Sequence, residues 1–580
     1  MVPPIRFILV EVAMAEIIIT KHFLPLKNGQ QVHYRRAGSG PPIILMHPSP
    51  SSSAGVVPAM NVFAQAFTCI GLDTPGYGLS DEIVSDPTLL WGYADALIEI
   101  LDALGIGKAI VYGAATGAQV GIQFARKYPN RCRLLMLDAN GDFSGEAGEH
   151  MANGYFQDIT PVRDGSHLIR IWDMCRQLSV FFPWQSMLAE DRAQNDVAPP
   201  DATHRSVLDY LRAGPNYKGA YYQAMLVETW ENTRQVTVET LMTRNSGSVL
   251  LKHTDALLAK GLPPNFTILP CAPATRFSVQ LTTLKERMAK NALPAAPPSP
   301  PDHQPSQNRV QNFYMSARGG KLRARGNLGG KGRPLLALHD PAGSSKLVEP
   351  ILAPWLGKRP IIALDLPGNG ESDNVIDPAN ITSAAYAEIV NEALAAFGVS
   401  EVDVIGRYSG GPIAMEMSFQ KPALVKHMVL AGIGIYEGAE QKDLLDNYTP
   451  SISPKWDGSH LVTAWAVMRD QGLFWPWFNR TKNGILWSDN AIDADMIHLR
   501  VTEMLKIGDQ YQKAYAAMWA YPMRERLPKI KAPCLLAVPK WEPIYAKSAE
   551  AQKVAPQCKL ADLPPAAKDW HTVIEPFLAA

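Results

Sequence analysis

The chain has 580 residues, and at roughly 100–200 residues per domain it holds more than one folding unit, most simply two of about 270 residues. Hydrophobic residues make up 47% and charged residues 19%, enough apolar material for full cores and too much for a disordered chain. Fifty-five Lys and Arg cancel fifty-five Asp and Glu, so no electrostatic footprint for nucleic acid or an anionic membrane is expected. Cys69, Cys132, Cys175, Cys271, Cys534 and Cys558 are scattered, with no C-x-x-C pair and no Cys/His cluster at zinc spacing. They read as buried thiols of a reducing compartment, which makes a soluble, cytoplasmic location and the absence of metal the expectations. The opening MVPPIRFILVEVAMAEIIIT is interrupted by Glu11 and Glu16 and falls short of the roughly 18 apolar residues of a membrane span. It reads as a lead-in to a first strand, with Met14 as a candidate start.

In chain order, KHFLPLKNGQQVHYR forms a strand pair around a Gly turn, followed by the short buried-strand run PPIILMH and the strand FTCIGLD. A helix-length segment, LLWGYADALIEILDAL, precedes strand AIVYGA, a second helix and strand RLLMLDA. Strands alternating with helices predict a parallel, doubly wound sheet. The pattern then restarts: NFYMSARGGKLRAR, PLLALH, RPIIALD, AAYAEIVNEALAAF, VDVIGR and HMVLAGI.

The restart is a repeat in sequence as well as in pattern. LMHPSPSS at 45–52 returns as LHDPAGSS at 338–345, with His47 matching His339. LDTPGYGLSD returns as LDLPGNGESD at an offset of 292, and VYGAATGA as VIGRYSGG at 293. DGSHL at 164–168 is repeated without change at 457–461, and Trp172, Arg176, Pro183 and Trp184 are matched by Trp465, Arg469, Pro476 and Trp477. The chain is therefore a tandem duplication. The Pro-rich stretch ALPAAPPSPPDHQPSQ separates the copies as an extended connector. The expected units are 15–290, a linker over 291–310, and 311–580, packed as an intramolecular pseudo-dimer; a further homo-oligomer is left open.

With these motifs in hand, both halves resemble the α/β-hydrolase fold family. The fold so implied is α/β: two tandem α/β-hydrolase domains, each a doubly wound, mostly parallel sheet under a helical cap. The His47 and His339 turns resemble the family's oxyanion-hole loop, and the D-x-P-G-x-G-x-S-D segments resemble a second family signature. The stretches of about 140–225 and 433–518 stand where the family carries its cap. The strand, Gly-x-x-x-Gly turn and helix resemble the nucleophile elbow, which normally presents a serine.

The elbows lack that serine. The first reads Gly113-Ala114-Ala115-Thr116-Gly117 and puts Ala115 in the nucleophile position. The second reads Gly406-Arg407-Tyr408-Ser409-Gly410 and puts Tyr408 there. A methyl group cannot attack a carbonyl, and a tyrosine hydroxyl is better suited to donating a hydrogen bond. Ala115 has two open accounts, natural loss or a deliberate Ser→Ala substitution. Aligning the copies sets Phe277 opposite His571 and Ser248 opposite Glu542, so the first half lacks a triad and His253 is out of register. In the second half, the resemblance implies Glu542 as the acid and His571 as the general base, with Tyr408 contacting developing negative charge. It implies backbone donors at Thr116 and Ser409, opposed by Ser49 in one half and by Asp340 and Pro341 in the other. Ser409 as the nucleophile itself is the alternative.

The cap repeat supplies the substrate-binding candidates His167, Trp172 and Arg176, their copies His460, Trp465 and Arg469, and the loop histidines His47 and His339. Ser166 and Ser459 read as helix N-caps. The shared cap residues suit either a pocket or the pseudo-dimer contact, and the FFPW and FWPW runs suit an apolar or aromatic ligand. The function expected from this is hydrolysis of an ester or activated C–C bond in a small organic substrate, without cofactor, by a His–acid pair in the second half. A lyase-type proton abstraction and a catalytically lost ligand-binding or assembly protein are the alternatives.

Overall fold

The computed structural model describes residues 17–84, 90–193, 196–290, 294–300, 305, 309–487 and 492–579. The lead-in segment up to Glu16, Met14 included, and parts of the linker lie outside the described residues.

Sixteen strands form two eight-stranded sheets of the same topology. The first contains β1 (Thr20–Pro25), β2 (Gln31–Ala37), β3 (Pro42–Met46), β4 (Thr68–Leu72), β5 (Ala109–Ala114), β6 (Cys132–Asp138), β7 (Thr240–Asn245) and β8 (Phe266–Cys271). The second contains β9 (Gln311–Ala317), β10 (Gly320–Asn327), β11 (Leu335–Leu338), β12 (Ile361–Leu364), β13 (Val402–Arg407), β14 (Val425–Ala431), β15 (Cys534–Val538) and β16 (Lys559–Asp562). Their orders are β1-β2-β4-β3-β5-β6-β7-β8 and β9-β10-β12-β11-β13-β14-β15-β16. Only the leading hairpin of each runs antiparallel to its neighbours. The central strands β3, β4, β11 and β12 are buried along their whole length, as helices on both faces of a parallel sheet require. This is why they read as unbroken apolar runs.

Two motifs repeated in both halves are struts. Asp73 accepts the backbone N–H groups of Ser53 (2.6 Å) and Leu79 (2.8 Å), and its counterpart Asp365 accepts those of Ser345 (2.6 Å) and Glu371 (2.9 Å). His47 and His339 accept the N–H of Thr74 and Leu366 at Nε2, at 2.9 and 3.0 Å, so each must carry its proton on Nδ1, next to a backbone carbonyl. Both rings are buried and fully engaged, which corrects their assignment to substrate binding. They pin one loop to the other.

The caps meet each other. Residues of the first cap (Leu168, Trp172, Val207) and of the second (Leu461, Trp465, Val501) share one continuous apolar cluster. The helices Ser166–Gln177 and Ser459–Asp470 each follow a left-handed glycine, Gly165 at φ 76° and Gly458 at φ 75°. Asp164 and Asp457, not the serines, cap these helices, accepting the N–H of Ser166 (2.9 Å) and Ser459 (3.0 Å). The glycines are needed for a second reason. A Cβ on Gly165 would lie 2.5 Å from the Trp465 ring, and one on Gly458 would lie 2.7 Å from the Trp172 ring. Histidines reciprocate in the same way: His167 lies 3.0 Å from His498, and His460 lies 3.2 Å from His204. His167, Trp172, His460 and Trp465 therefore join the two halves, and their assignment to a substrate pocket is corrected.

Elsewhere the halves are tied by polar contacts. Gln31 donates to the carbonyl of Asn312 at 2.8 Å, Lys21 pairs with Asp373 at 2.5 Å, and Arg309 with Asp81 at 2.9 Å. Glu371 of the second half takes both Arg212 of the first cap (3.1 Å) and Lys506 of the second (2.9 Å).

Candidate active site

Both elbows keep the backbone of the motif without its serine. Ala115 has φ 49° and Tyr408 has φ 46°, a strained conformation for a residue with a side chain. The flanking glycines explain how the strand can turn into the helix so sharply. A Cβ on Gly113 or Gly406 would collide with the carbonyl of Gly117 or Gly410, and one on Gly117 or Gly410 with the carbonyl of Met46 or Leu338. The Gly-x-x-x-Gly spacing is thus dictated by the crossing of three backbone segments and says nothing by itself about chemistry.

In the first half the surroundings of Ala115 are closed by structural contacts. Asp138 accepts a hydrogen bond from Tyr112 (2.8 Å) and faces Arg276 at 3.5 Å, while Phe277 packs edge-on against Phe63. Thr116 begins the buried helix Thr116–Lys127, and the Ser49 hydroxyl is buried beside Tyr77. His253 stacks on Phe143, 4.3 Å between ring centres, and burial lowers its pKa.

In the second half a cavity of about 410 Å³ opens between sheet and cap. Asp340 and Pro341 come from the loop after β11, Arg407 and Tyr408 from the end of β13, and Glu542 from the loop after β15. The cap contributes Tyr448, Gln471, Trp475, Arg500, Tyr515, Met518 and Trp519. Tyr408 donates to Oε2 of Glu542 at 3.0 Å. Burial raises the pKa of Glu542, and this is partly offset by Arg407 and by the Tyr408 hydrogen bond. Burial, then the Glu542 charge, pushes the Tyr408 hydroxyl up as well, so Tyr408 stays a proton-bearing donor. Asp340 lies 3.8 Å from each of the guanidiniums of Arg407 and Arg500, and its Oδ1 is buried without a hydrogen-bond partner.

Ser409 does not reach this cavity. Its Oγ is buried without a hydrogen-bond partner and faces a separate, water-sized pocket beside Asn369 and Tyr386. His571 is not brought to Glu542. Its Nδ1 lies 2.9 Å from the Lys568 carbonyl, its ring meets Trp355 edge-on, and it does not line the cavity. The His–acid pair is therefore not assembled: the final helix, His571–Leu578, starts at the histidine and holds it against that helix's own entry turn. Arg469 turns to Asp470 at 2.8 Å, and Arg176 is half-buried on its helix outside the cavity.

The family described as α/β-hydrolase fold matches residues 41–238 and 333–458, more than half of the chain and both copies. The chain belongs to the α/β-hydrolase fold family. Within it, the chain is 34% identical over 116 residues to a 2-hydroxy-6-oxononadienedioate/2-hydroxy-6-oxononatrienedioate hydrolase of Burkholderia vietnamiensis, covering 19% of this chain and 40% of that protein. It is 32% identical over 159 residues to a 2-(acetamidomethylene)succinate hydrolase of Mesorhizobium japonicum, covering 26% of this chain and 57% of the relative. An uncharacterized protein of Mycobacterium tuberculosis is 33% identical over 115 residues, 20% of this chain and 33% of its own length. The chain thus spans between a third and somewhat over half of these relatives. Among solved structures, a hydrolase from Pseudomonas aeruginosa aligns over 47% of this chain and all of its own, at 18% identity and a TM-score of 0.35.

Against the family pattern, the cavity-lining residues that sequence reading missed are chiefly Arg407, Arg500, Trp519 and Tyr448. Arg407 was in view inside the second elbow, as a charge at a position where the first has Ala114. Trp475 belongs to the FWPW run already set apart for an aromatic ligand. Arg500 carried no signal, since only the fold places its helix, Ala494–Ile507, over the cavity. Among the described residues no group of three or more His, Cys, Asp or Glu side chains is placed to hold a metal ion, and no helix is long and apolar enough to cross a membrane.

Proposed function

We propose that the chain is a small-molecule hydrolase whose active site is the aromatic cavity of the second half, with Glu542 as its acid–base group and Tyr408 as the donor that orients it. The first half serves as scaffold. The observation that carries this reading is the 3.0 Å hydrogen bond between the elbow tyrosine and a half-buried carboxyl group in a cavity wall. The equivalent first-half residues are Ala115 and Ser248.

A carboxyl whose pKa is raised by burial is a stronger base than a free one, able to take a proton from water and return it to a leaving group. Water activated by Glu542 attacks the carbonyl of an ester or activated C–C bond, so no acyl-enzyme and no serine are needed. In the loop after β11, Pro341 has no N–H and Asp340 adds a carboxylate where negative charge would develop. Charge developing on the substrate would meet the Arg407 guanidinium of the cavity wall. That same loop favours a second reading, a protein that binds its ligand without turning it over.

The deciding experiment follows turnover of aryl esters, thioesters and vinylogous diketones by mass spectrometry with the full chain and with Glu542→Gln. Turnover that falls at least a hundredfold on substitution supports the enzyme reading at the scale expected of a general base. Turnover unchanged in Glu542→Gln overturns it, and saturable binding of the same compounds without turnover selects the second reading.

A further inference from the structure

The cavity carries charge that its counterpart lacks. Asp340, Arg407, Arg500 and Glu542 align with Pro48, Ala114, Ser206 and Ser248 of the first half, so all four charged groups belong to the second copy alone. They sit in a wall otherwise built of Trp475, Trp519, Tyr448 and Met518. Taking guanidiniums out of water against aromatic rings is costly unless something pairs with them closely. Asp340 does not: at 3.8 Å it is in ion-pair range of both, but beyond hydrogen-bonding distance of either. Arg500 has one hydrogen bond to Gln471 at 2.9 Å, and Arg407 lies over the Tyr408 ring at 4.9 Å. Glu542 adds an attraction to Arg407 but no hydrogen bond, so both forks face the cavity without a carboxylate at bonding distance.

We propose that this cavity selects small aromatic carboxylates, with the carboxylate received between Arg407 and Arg500 and the ring held by Trp475, Trp519 and Tyr448. A carboxylate matches the planar guanidinium fork as an amide or ester oxygen does not, and the pairing gains strength in an apolar surround. Asp340 opposes that second anion and acts as a resident counter-charge that a ligand carboxylate must outcompete. The inference rests on the cavity being the functional site but not on Glu542 being a base.

The test is equilibrium binding by titration calorimetry on the full chain. The probes are naphthoate and phenylbutyrate, their primary amides, and naphthylmethylamine. Carboxylates should bind at least tenfold more tightly than the matched amides, and Arg500→Gln should erase most of that difference. Asp340→Asn should tighten carboxylate binding several-fold, the opposite direction to a merely structural loss. Amides binding as well as carboxylates, the amine binding best, or no carboxylate binding at millimolar concentration would each overturn the proposal. Its failure is separable from that of the enzyme reading. Arg500-dependent carboxylate binding without Glu542-dependent turnover leaves the ligand class standing, whereas Glu542-dependent turnover of neutral esters with no carboxylate binding removes only the ligand class.

Discussion

His460 stands 3.2 Å from His204 across the contact between the two caps, and the surrounding donors fix where each proton lies. The N–H of Lys455 donates to Nδ1 of His460 (3.2 Å), so Nε2 carries its proton and donates to Nδ1 of His204, whose own Nε2–H meets the Leu505 carbonyl at 3.2 Å. The mirrored pair runs the same way, from the Val162 N–H (3.3 Å) through His167 to His498 (3.0 Å). Each chain is satisfied only when every ring is neutral. A second proton on any of them would set donor against donor.

Acid should therefore loosen the caps. Burial, then the facing histidine, lowers His167 and His460 from 6.5 to about 4. Asp164 and Arg170 face the first pair's His167, with Asp495 and Lys346 facing His498. Asp457 and Lys455 face His460, and Asp201, Arg205 and Arg212 face His204. Because the folded pKa values are depressed, the unfolded chain binds more protons between pH 6.5 and 4. The contribution is complete above pH 6.5 and is lost as pH falls toward 4. Urea midpoints measured across that range should fall for the natural chain and fall less for a His204→Gln/His498→Gln double variant. Equal slopes would remove the histidines from the account.

Gly458→Ala should destabilise by about 1–3 kcal/mol, since alanine meets both a positive φ and the Trp172 ring. Chemical unfolding reads this directly. A loss below about 0.5 kcal/mol would mean that the caps shift apart freely, contrary to their shared core.

Tyr408→Phe should cut turnover by about tenfold or more by freeing the Glu542 carboxyl from its orienting hydrogen bond. It should also move the acidic limb of the kcat/KM profile to higher pH, because that hydrogen bond holds the Glu542 pKa down against burial. A reduced rate with an unmoved limb would assign Tyr408 to packing only.

Ala115→Ser restores a complete Gly-x-Ser-x-Gly elbow to the first half, yet no activation of it is expected. The position that would hold a histidine is Phe277, packed on Phe63, and Arg276 faces Asp138. Labelling by a fluorophosphonate and hydrolysis of aryl esters should match the unsubstituted chain. A labelled serine would show that another base reaches the elbow.

The sheets, their duplication and the elbow turns were legible in the sequence because each is written in local pattern: unbroken apolar runs for buried strands, glycines where backbones cross, and aspartates that gather N–H groups. The site was legible only in part. Tyr408, Glu542, Asp340 and Pro341 line one cavity. His571 misled because its place in the alignment does not reveal that it begins the final helix and lies against the Lys568 carbonyl. The repeated His and Trp of the caps misled in another way. These cap residues, kept in both copies, are ones that each half sets against the other, so here the symmetry marked the contact between the halves.

The difference between the two halves was open to this chain because its two lobes are one polypeptide. Where two identical subunits meet about a twofold axis, every substitution appears on both sides, and a cavity cannot gain charge without its twin gaining it too. Tethering replaces the concentration of a free partner with an effective one in the millimolar range, so dilution does not part the lobes. One lobe can then differ from the other and still persist as a permanent clamp on its cap. Arg212 shows what that clamp does: from the first half it reaches the same Glu371 that anchors Lys506, at the base of the helix that carries Arg500.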